Sequence, residues 1–282
     1  MSAVEAAVEL PQYEVVGKTD APVVIALGGI SANRRVCEWW PGVAGAHRAL
    51  DTERYRVLGV DYLDRPGIST HDQADAIATV LDQLGVQRAH ALIGASYGGM
   101  VALAFAELYP ERLERLVVIG AADRAHPMIT AQRVIQRRII ELGVEVGREQ
   151  DAVTLARALA ITTYRSAREF EERFIGRRDV ESFLFHNAER FAQGFSAQRY
   201  LALSLSSDMH RVDPSRVTAV TTLVAAEGDT VVPREQVERL ASALAGPSRI
   251  VDLPATTGHD AFLTEQDALG RILHNAVTQS VS

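Results

Sequence analysis

The sequence predicts an open α/β sheet, mostly parallel, with a block of helices inserted before its last two strands. Three observations lead there. Short runs rich in Val, Ile and Leu recur and are apolar throughout rather than alternating, as strands covered on both faces require. Helical patterns lie between several of these runs, which is the rhythm of strand–helix–strand units. The alternation then stops between about Asp123 and Asp213, where helical patterns continue without strands.

In chain order, the first predicted strand is Val23 to Leu27, "VVIAL", which runs into the pair Gly28-Gly29. Tyr55 to Val60 is the second, and the helical stretch Gln73 to Leu84 follows it. Ala89 to Ile93 is the third; a turn of small residues then leads into a helix from Gly98 to Tyr109. Leu116 to Ile119 closes the first half. The helical block contains "TAQRVIQRRIIELGVEVG" and "DAVTLARALAITTYRS", rich in arginine but nearly balanced by acids, so that most of its charge reads as a solvated face. Thr221 to Ala225 and Arg249 to Leu253 are the last strands, with helices from Arg234 to Ala245 and from Glu265 to Thr278. Thr264 and Asp267 have the spacing of a capping box at the start of the final helix. The expected organisation is a core of residues 1–122 and 213–282 with residues 123–212 forming a helical lid over the C-terminal edge of the sheet.

At 282 residues the chain is long enough for one large domain with an insertion. A formal charge of −7 argues against a general nucleic-acid binder. No apolar run approaches the roughly 20 residues needed to span a bilayer, so no membrane partner is expected. The N-terminal "MSAVEAAVELPQYEVVG" carries acids and no basic segment, so no secretory leader is expected. Cys37 is the only cysteine, which excludes an internal disulfide and suits a reducing cytoplasm. Lys18 is the only lysine, and arginine supplies the rest of the basic charge. The eight histidines do not form a ligand-spaced cluster with acids or Cys37, so no metal is expected.

The chemistry is concentrated in Gly94-Ala95-Ser96-Tyr97-Gly98. A G-x-S-x-G pentapeptide is a weak signal alone, but here the strand "AHALI" precedes it and the helix "GGMVALAFAELY" follows. That context turns the chain sharply and leaves the Ser96 oxygen exposed at the tip of the turn, with helix N–H groups aimed toward it. A serine hydroxyl needs a base, and the base needs an orienting acid. In such a sheet the acid and then the histidine follow the serine. Of the histidines beyond the last strand, His274 falls inside the final helix. His259 sits in the loop "PATTGHDAFL", from which it can reach the sheet edge, and is the expected base. Asp229 in "AAEGDTVVP" is the expected acid, ahead of Glu227, which lies nearer the strand. Asp260 is too close in sequence to bend back onto its neighbour's ring. One oxyanion-hole amide would be that of Tyr97. The second would come from the loop holding Leu27, Gly28 and Gly29.

The segments "GASYGGMVAL", "HPMITAQRVIQRR", "TTYRSAREFEERF" and "GHDAFL" together resemble the homoserine O-acyltransferases of methionine biosynthesis, within the α/β-hydrolase superfamily. The similarity runs from about Val23 to the end. It implies an α/β-hydrolase fold with a helical lid through which two subunits pair. It further implies acyl transfer from acyl-CoA to the side-chain hydroxyl of homoserine, without a cofactor. By position, Ser96, Asp229 and His259 match the family's triad, Leu27 and Tyr97 its oxyanion-hole amides, and Asp260 a carboxylate that meets the substrate's ammonium group. Where the family carries an arginine for the substrate carboxylate, shortly before Tyr200, this chain reads Gln193-Gly194-Phe195. Either Arg190, one helical turn earlier, takes over, or the acceptor is not homoserine. Arg133 occupies a place where acetyl-transferring relatives tend to be uncharged. It is either a partner for a succinyl carboxylate, which puts succinyl ahead of acetyl transfer, or an ordinary surface arginine. Serine as the acceptor, water as the acceptor (an esterase) and a non-catalytic binding module are the alternatives.

Overall fold

The computed structural model describes residues 10–279; the first part of the acidic N-terminal run lies outside the described residues. The chain passes through β1 (Tyr13–Val16), β2 (Val23–Leu27), α1 (Val36–Trp39), β3 (Ala44–Gly45), β4 (Leu50–Asp51), β5 (Arg56–Val60), α2 (Thr70–Gln83), β6 (Ala89–Ala95), α3 (Tyr97–Leu108) and β7 (Leu113–Ile119). Five helices follow: α4 (Pro127–Glu145), α5 (Glu149–Tyr164), α6 (Ala167–Arg173), α7 (Arg177–Ala192) and α8 (Ala197–Met209). Then come β8 (Val220–Ala226), α9 (Arg234–Ala243), β9 (Ser248–Leu253), α10 (Ala261–Thr264) and α11 (Gln266–Thr278).

The main sheet has seven strands in the order β1-β5-β2-β6-β7-β8-β9, with only β1 antiparallel to its neighbour. Both faces are covered, which is why its strands read as unbroken apolar runs. Ile25, Leu27, Leu92 and Val118 pack on one face with α2 and α3. Val24, Ala26, Ile93, Val117 and Ile119 pack on the other with Trp40 and the buried side of α11. The chain leaves β2 for β5 and then returns across β2 to β6. Strand order therefore reverses between β2 and β6, and at such a point the connections leave on opposite faces and open a crevice at the strands' C-terminal ends.

The helices α4 to α8 all lie between β7 and β8. The two ends of this insertion meet, since Arg124 and Arg211 form an isolated antiparallel bridge and Val212 N–H donates to Asp123 O at 3.1 Å. Sequence patterning missed β1, whose four residues are all half-buried and pair with β5 at the sheet edge. It also misread the final helix. Thr264 ends α10 and shares its hydroxyl with Thr257 at 2.8 Å, while α11 starts at Gln266 with no side-chain cap. A true capping box joins Ser69 and Asp72 at the start of α2, three residues before the expected start.

Candidate active site

Ser96 stands between β6 and α3, at the C-terminal end of the strand beside the reversal. Its φ is 54° and its ψ is −118°. Ser96 and His47 are the only non-glycine residues with positive φ among the described residues. The turn is pinned at three places. Ser96 N–H donates to Ile119 O at 2.8 Å, Gly98 N–H donates to Gly28 O at 3.0 Å, and Tyr62 Oη donates to the same Gly28 carbonyl at 2.7 Å. A Cβ on Gly98 would lie 2.6 Å from the carbonyl oxygens of both Leu27 and Gly28, so only glycine lets the start of α3 lie against the end of β2. Tyr97 opens α3, and a first-turn N–H has no intrahelical acceptor. The Tyr97 ring is buried, its hydroxyl 2.8 Å from Ser206 Oγ, and burial pushes its pKa up to about 12.

His259 and Asp229 arrive from the loops after β9 and β8. His259 Nε2 lies 2.8 Å from Ser96 Oγ and Nδ1 lies 2.8 Å from Asp229 Oδ2. The other Asp229 oxygen accepts from Val231 N–H at 2.8 Å and Val232 N–H at 3.0 Å, which fixes the carboxylate in its loop. The side chains of His259 and Asp229 are each 3% exposed. Burial by itself disfavours the charged ring. The Asp229 carboxylate, by charge and hydrogen bond, and Asp260, by charge, outweigh it and hold the His259 pKa above the ordinary histidine value. Gly120, at φ 54° just after β7, lies against this pair, since a Cβ there would meet His259 Cε1 at 3.1 Å and Asp229 Oδ2 at 3.3 Å.

The insertion grips the histidine loop through Tyr164, Arg165 and Ser166. The Tyr164 ring centroid is 5.9 Å from that of His259, and Arg165 Nε bonds Asp260 Oδ2 at 2.9 Å. Ser166 N–H donates to Thr257 O at 3.2 Å, and its hydroxyl donates to Thr256 O. The pocket containing Ser96 is lined by both parts of the chain, among them Tyr97, His126, Arg133, Tyr164 and Gln236. A second, smaller chamber includes Arg133, Arg157, Tyr164 and Tyr200.

The three residues expected to act together are thus neighbours, whereas Glu227 is exposed and His274 faces outward from α11. Leu27 ends β2 against the serine turn. Arg133 lines the Ser96 pocket and is not an ordinary surface residue, although Asp208 Oδ1 holds it at 2.8 Å. Asp260 is committed to Arg165. Tyr200 is buried in the second chamber, with its hydroxyl on Gln136 Oε1 at 3.0 Å. Two expectations need correction. Gln193 caps the C-terminal end of α7 and is exposed, and Arg190 borders a different hollow near Arg165 and Arg173. Both end up outside the pocket because they lie on the exposed side of the end of α7, while Phe191 between them faces the chamber. Arg157, Tyr164 and Gln236 were missed, because helical residues scattered over two segments have no shared spacing to betray them.

The expectation that no histidine clusters with acids is also corrected at one place. Ligand atoms of His47, Asp51 and Glu53 lie within 4.8 Å of one another. Asp51 Oδ1 already accepts from the N–H groups of His47 and Glu53, and the group belongs to an exposed turn. A hollow of about 620 Å³ between Arg48, Arg54 and α11 contains none of the three site residues.

Residues 22–266 match the family described as the alpha/beta hydrolase fold. The homoserine O-succinyltransferase of Xanthomonas campestris pv. campestris is 40% identical over 288 residues, covering 94% of this chain and 78% of its own. The homoserine O-acetyltransferase of Thermus thermophilus is 33% identical, covering 83% of this chain and 70% of its own. Among solved structures, homoserine O-acetyltransferase from Bacillus anthracis superposes with a TM-score of 0.84 at 17% identity, covering 96% of this chain and 92% of that one. An acetylester hydrolase from Corynebacterium glutamicum superposes with a TM-score of 0.86 at 14% identity, covering 95% of this chain and 89% of that one. At these identities the structural likeness concerns the fold, which transferases and esterases share.

Proposed function

From the premise that this chain belongs to the alpha/beta hydrolase fold family, and within it to the homoserine O-acyltransferases, we propose that it moves an acyl group from acyl-CoA to the side-chain hydroxyl of L-homoserine, a step of methionine biosynthesis. The observation that carries the chemistry is the relay from Ser96 Oγ through the His259 ring to Asp229, with both links at 2.8 Å. Ser96 attacks the thioester carbonyl as His259 Nε2 takes its proton. The backbone N–H groups of Leu27 and Tyr97 hold the oxyanion, and such preorganised donors are worth about 3–4 kcal/mol each. The C–S bond breaks, the imidazolium returns the proton to the departing thiolate, and an acyl-serine remains. Homoserine then enters and gives its hydroxyl proton to His259. Its oxygen attacks the ester carbonyl, and the proton passes back to Ser96 Oγ as the ester oxygen leaves. Kinetics are ping-pong.

Residues 123–212 act as a lid between the core segments 1–122 and 213–282, with the Tyr164–Ser166 grip on the histidine loop supporting that role. By limiting water at the acyl-serine, the lid favours transfer over hydrolysis. Arg133, at the wall of the Ser96 pocket, places succinyl-CoA ahead of acetyl-CoA as donor. Asp260 is positioned by Arg165 and serves the acceptor's ammonium group. No helix among the described residues is long and apolar enough to cross a membrane, and the proposed setting is the cytoplasm, with two copies paired through the lid. The test crosses succinyl-CoA and acetyl-CoA with homoserine, serine and water as acceptors. Acceptor-dependent release of O-acylhomoserine is the expected product. Rapid thioester cleavage that homoserine does not alter would make the protein a hydrolase.

A further inference from the structure

We propose that Gln236 recognises the leaving-group arm of the acyl donor, its carboxamide oxygen accepting the N–H of the amide that follows the thioester in the pantetheine chain. The inference rests on the acyl-transfer reading above and adds to it where the donor lies.

Gln236 carries a polar group that the protein itself leaves unused. It lies on the buried side of α9 with Val237 and Leu240 and is 6% exposed. Its Oε1 is buried without a partner, and neither end of its carboxamide makes a hydrogen bond among the described residues. Leaving such a group unpaired is costly, so buried polar groups are nearly always bonded and an exception calls for a reason. The pocket of Ser96, which Gln236 borders, supplies one. With neither end tethered, rotation about its last side-chain bond turns the oxygen toward the pocket.

The two ends of that pocket differ. One continues past Ile30, Arg133 and Tyr164 into the chamber of Arg157 and Tyr200, where charged groups gather. The other lies between Arg124 and His126, at the start of the insertion, and Val231, Val232 and Gln236, which follow β8. The Arg124 side chain is 49% exposed, so this end reaches solvent. Its rim is held, since Arg239, one turn from Gln236 on α9, bonds Asp123 Oδ1 at 2.8 Å and ties the helix to the root of the insertion. Acyl-CoA is far larger than the pocket. With its carbonyl at Ser96, its arm has to leave by an end that opens to solvent. Beyond the sulfur come two methylenes, which suit Val231 and Val232, and then a neutral amide. A carboxamide can accept the N–H of that amide. An ammonium or a carboxylate would instead need an opposite charge, which Gln236 does not offer. The phosphates of the arm would lie farther out, toward Arg124, whose one carboxylate contact among the described residues is Asp123 Oδ2 at 3.9 Å.

A site built around a hydrogen bond rejects an analogue that lacks it. The experiment uses the full chain and two thioesters, one of N-acetylcysteamine and one of 2-acetoxyethanethiol. Both carry the acyl group, succinyl or acetyl, whose CoA ester reacts faster. They differ in one place, where oxygen replaces N–H. The second-order rate constant for the burst of thiol release, with no acceptor present, is expected to favour the amide about 10-fold or more in the parent. Gln236→Leu is expected to bring the ratio close to one by slowing the amide thioester alone. It should also melt at or above the parent's midpoint, because it removes an unpaired buried group. Gln236→Glu keeps an acceptor oxygen and is expected to retain most of the preference. A side chain that only packs α9 against the insertion would change both thioesters equally. A parent that does not distinguish the two thioesters, or a leucine variant with the parent's ratio, overturns the assignment. If the leucine variant does not unfold cooperatively, Gln236→Met, of nearly the same length as glutamine, replaces it and the same ratio decides. Failure of the acyl-transfer reading looks different. There neither thioester nor acyl-CoA acylates Ser96 and the assignment falls with the reading, whereas equal acylation by both thioesters removes Gln236 alone.

Discussion

Ser96 keeps a backbone conformation, φ 54° and ψ −118°, that costs a non-glycine residue on the order of 1–3 kcal/mol. The strain directs its Oγ to His259, so the cost is tied to one contact. Ser96→Ala is expected to abolish acyl-enzyme formation while leaving the thermal midpoint near or above that of the parent. Mass spectrometry after mixing with acyl-CoA checks the first point, and a melting curve the second. The base must be neutral to accept the serine proton, and its pKa is held above the ordinary value of 6.5. The acid limb of kcat/KM should therefore lie above pH 6.5, with activity lost as pH falls through it. Asp229→Asn removes the main influence raising that pKa and leaves burial, which lowers it. The limb then moves toward acid, and the rate falls by on the order of 10⁴-fold because the ring loses its correct tautomer. A limb that stays in place in Asp229→Asn would show that Asp229 does not govern the base.

Elements meet at this site with little clearance. Gly98→Ala would put a methyl 2.6 Å from two backbone carbonyl oxygens of β2's end, and backbone cannot rotate away as a side chain can. The expected cost is about 1–3 kcal/mol or more, read as a lower urea midpoint, together with a fall in kcat as Leu27 shifts. A second junction is His210, after α8, whose Nε2 lies 3.1 Å from Ala122 O and whose Nδ1 lies 2.8 Å from Thr70 Oγ1. The carbonyl requires Nε2 to donate, so Nδ1 accepts the threonine proton and the ring is neutral. Burial lowers its pKa from 6.5 to about 3. The unfolded chain therefore binds this proton at a higher pH than the folded one does. The stability from this group is complete above 6.5 and declines as pH falls toward 3, by up to about 1.4 kcal/mol per pH unit. Urea unfolding at several pH values, in the parent and in His210→Gln, should show the steeper acid loss in the parent. Equal slopes would mean that His210 is already protonated when folded. Neither junction could be read from the sequence. The parallel strands could, because burial on both faces leaves continuous Val, Ile and Leu runs. β1 could not, because its half-buried Tyr13-Glu14-Val15-Val16 lacks that run. Likewise Ser96, Asp229 and His259 stand out because each follows a strand in a loop. Arg157 and Gln236 sit within helices, where only the fold reveals which way they point.

On the scale of the molecule, the sheet accounts for where the site is, and the insertion raises the question of what covers its outer side. α4 turns Ile129, Gln136 and Ile140 inward. Its other side carries Met128, Ile135 and Leu142 at 61%, 55% and 48% exposure, spaced seven residues apart, with Val134 and Val146 beside them at 51% and 69%. Seven residues are nearly two helical turns, so these side chains form one stripe rather than scattered surface positions. A stripe of this kind on a helix whose opposite face is already packed needs a partner if it is not to promote aggregation. A second copy of the same stripe would supply one through a two-fold contact, in which each residue would meet its own symmetry-related surface. Pairing there would brace the helix that carries Arg133 and Arg137, so the effect of losing it would extend to the pocket wall. Sedimentation equilibrium is expected to give a dimer for the parent and a monomer for Ile135→Glu, since two carboxylates would be buried against each other at the axis. The monomer should also show a raised KM for the donor with a smaller change in kcat. A monomeric parent, or a variant that remains dimeric, would move the interface away from α4 and leave that stripe for another partner.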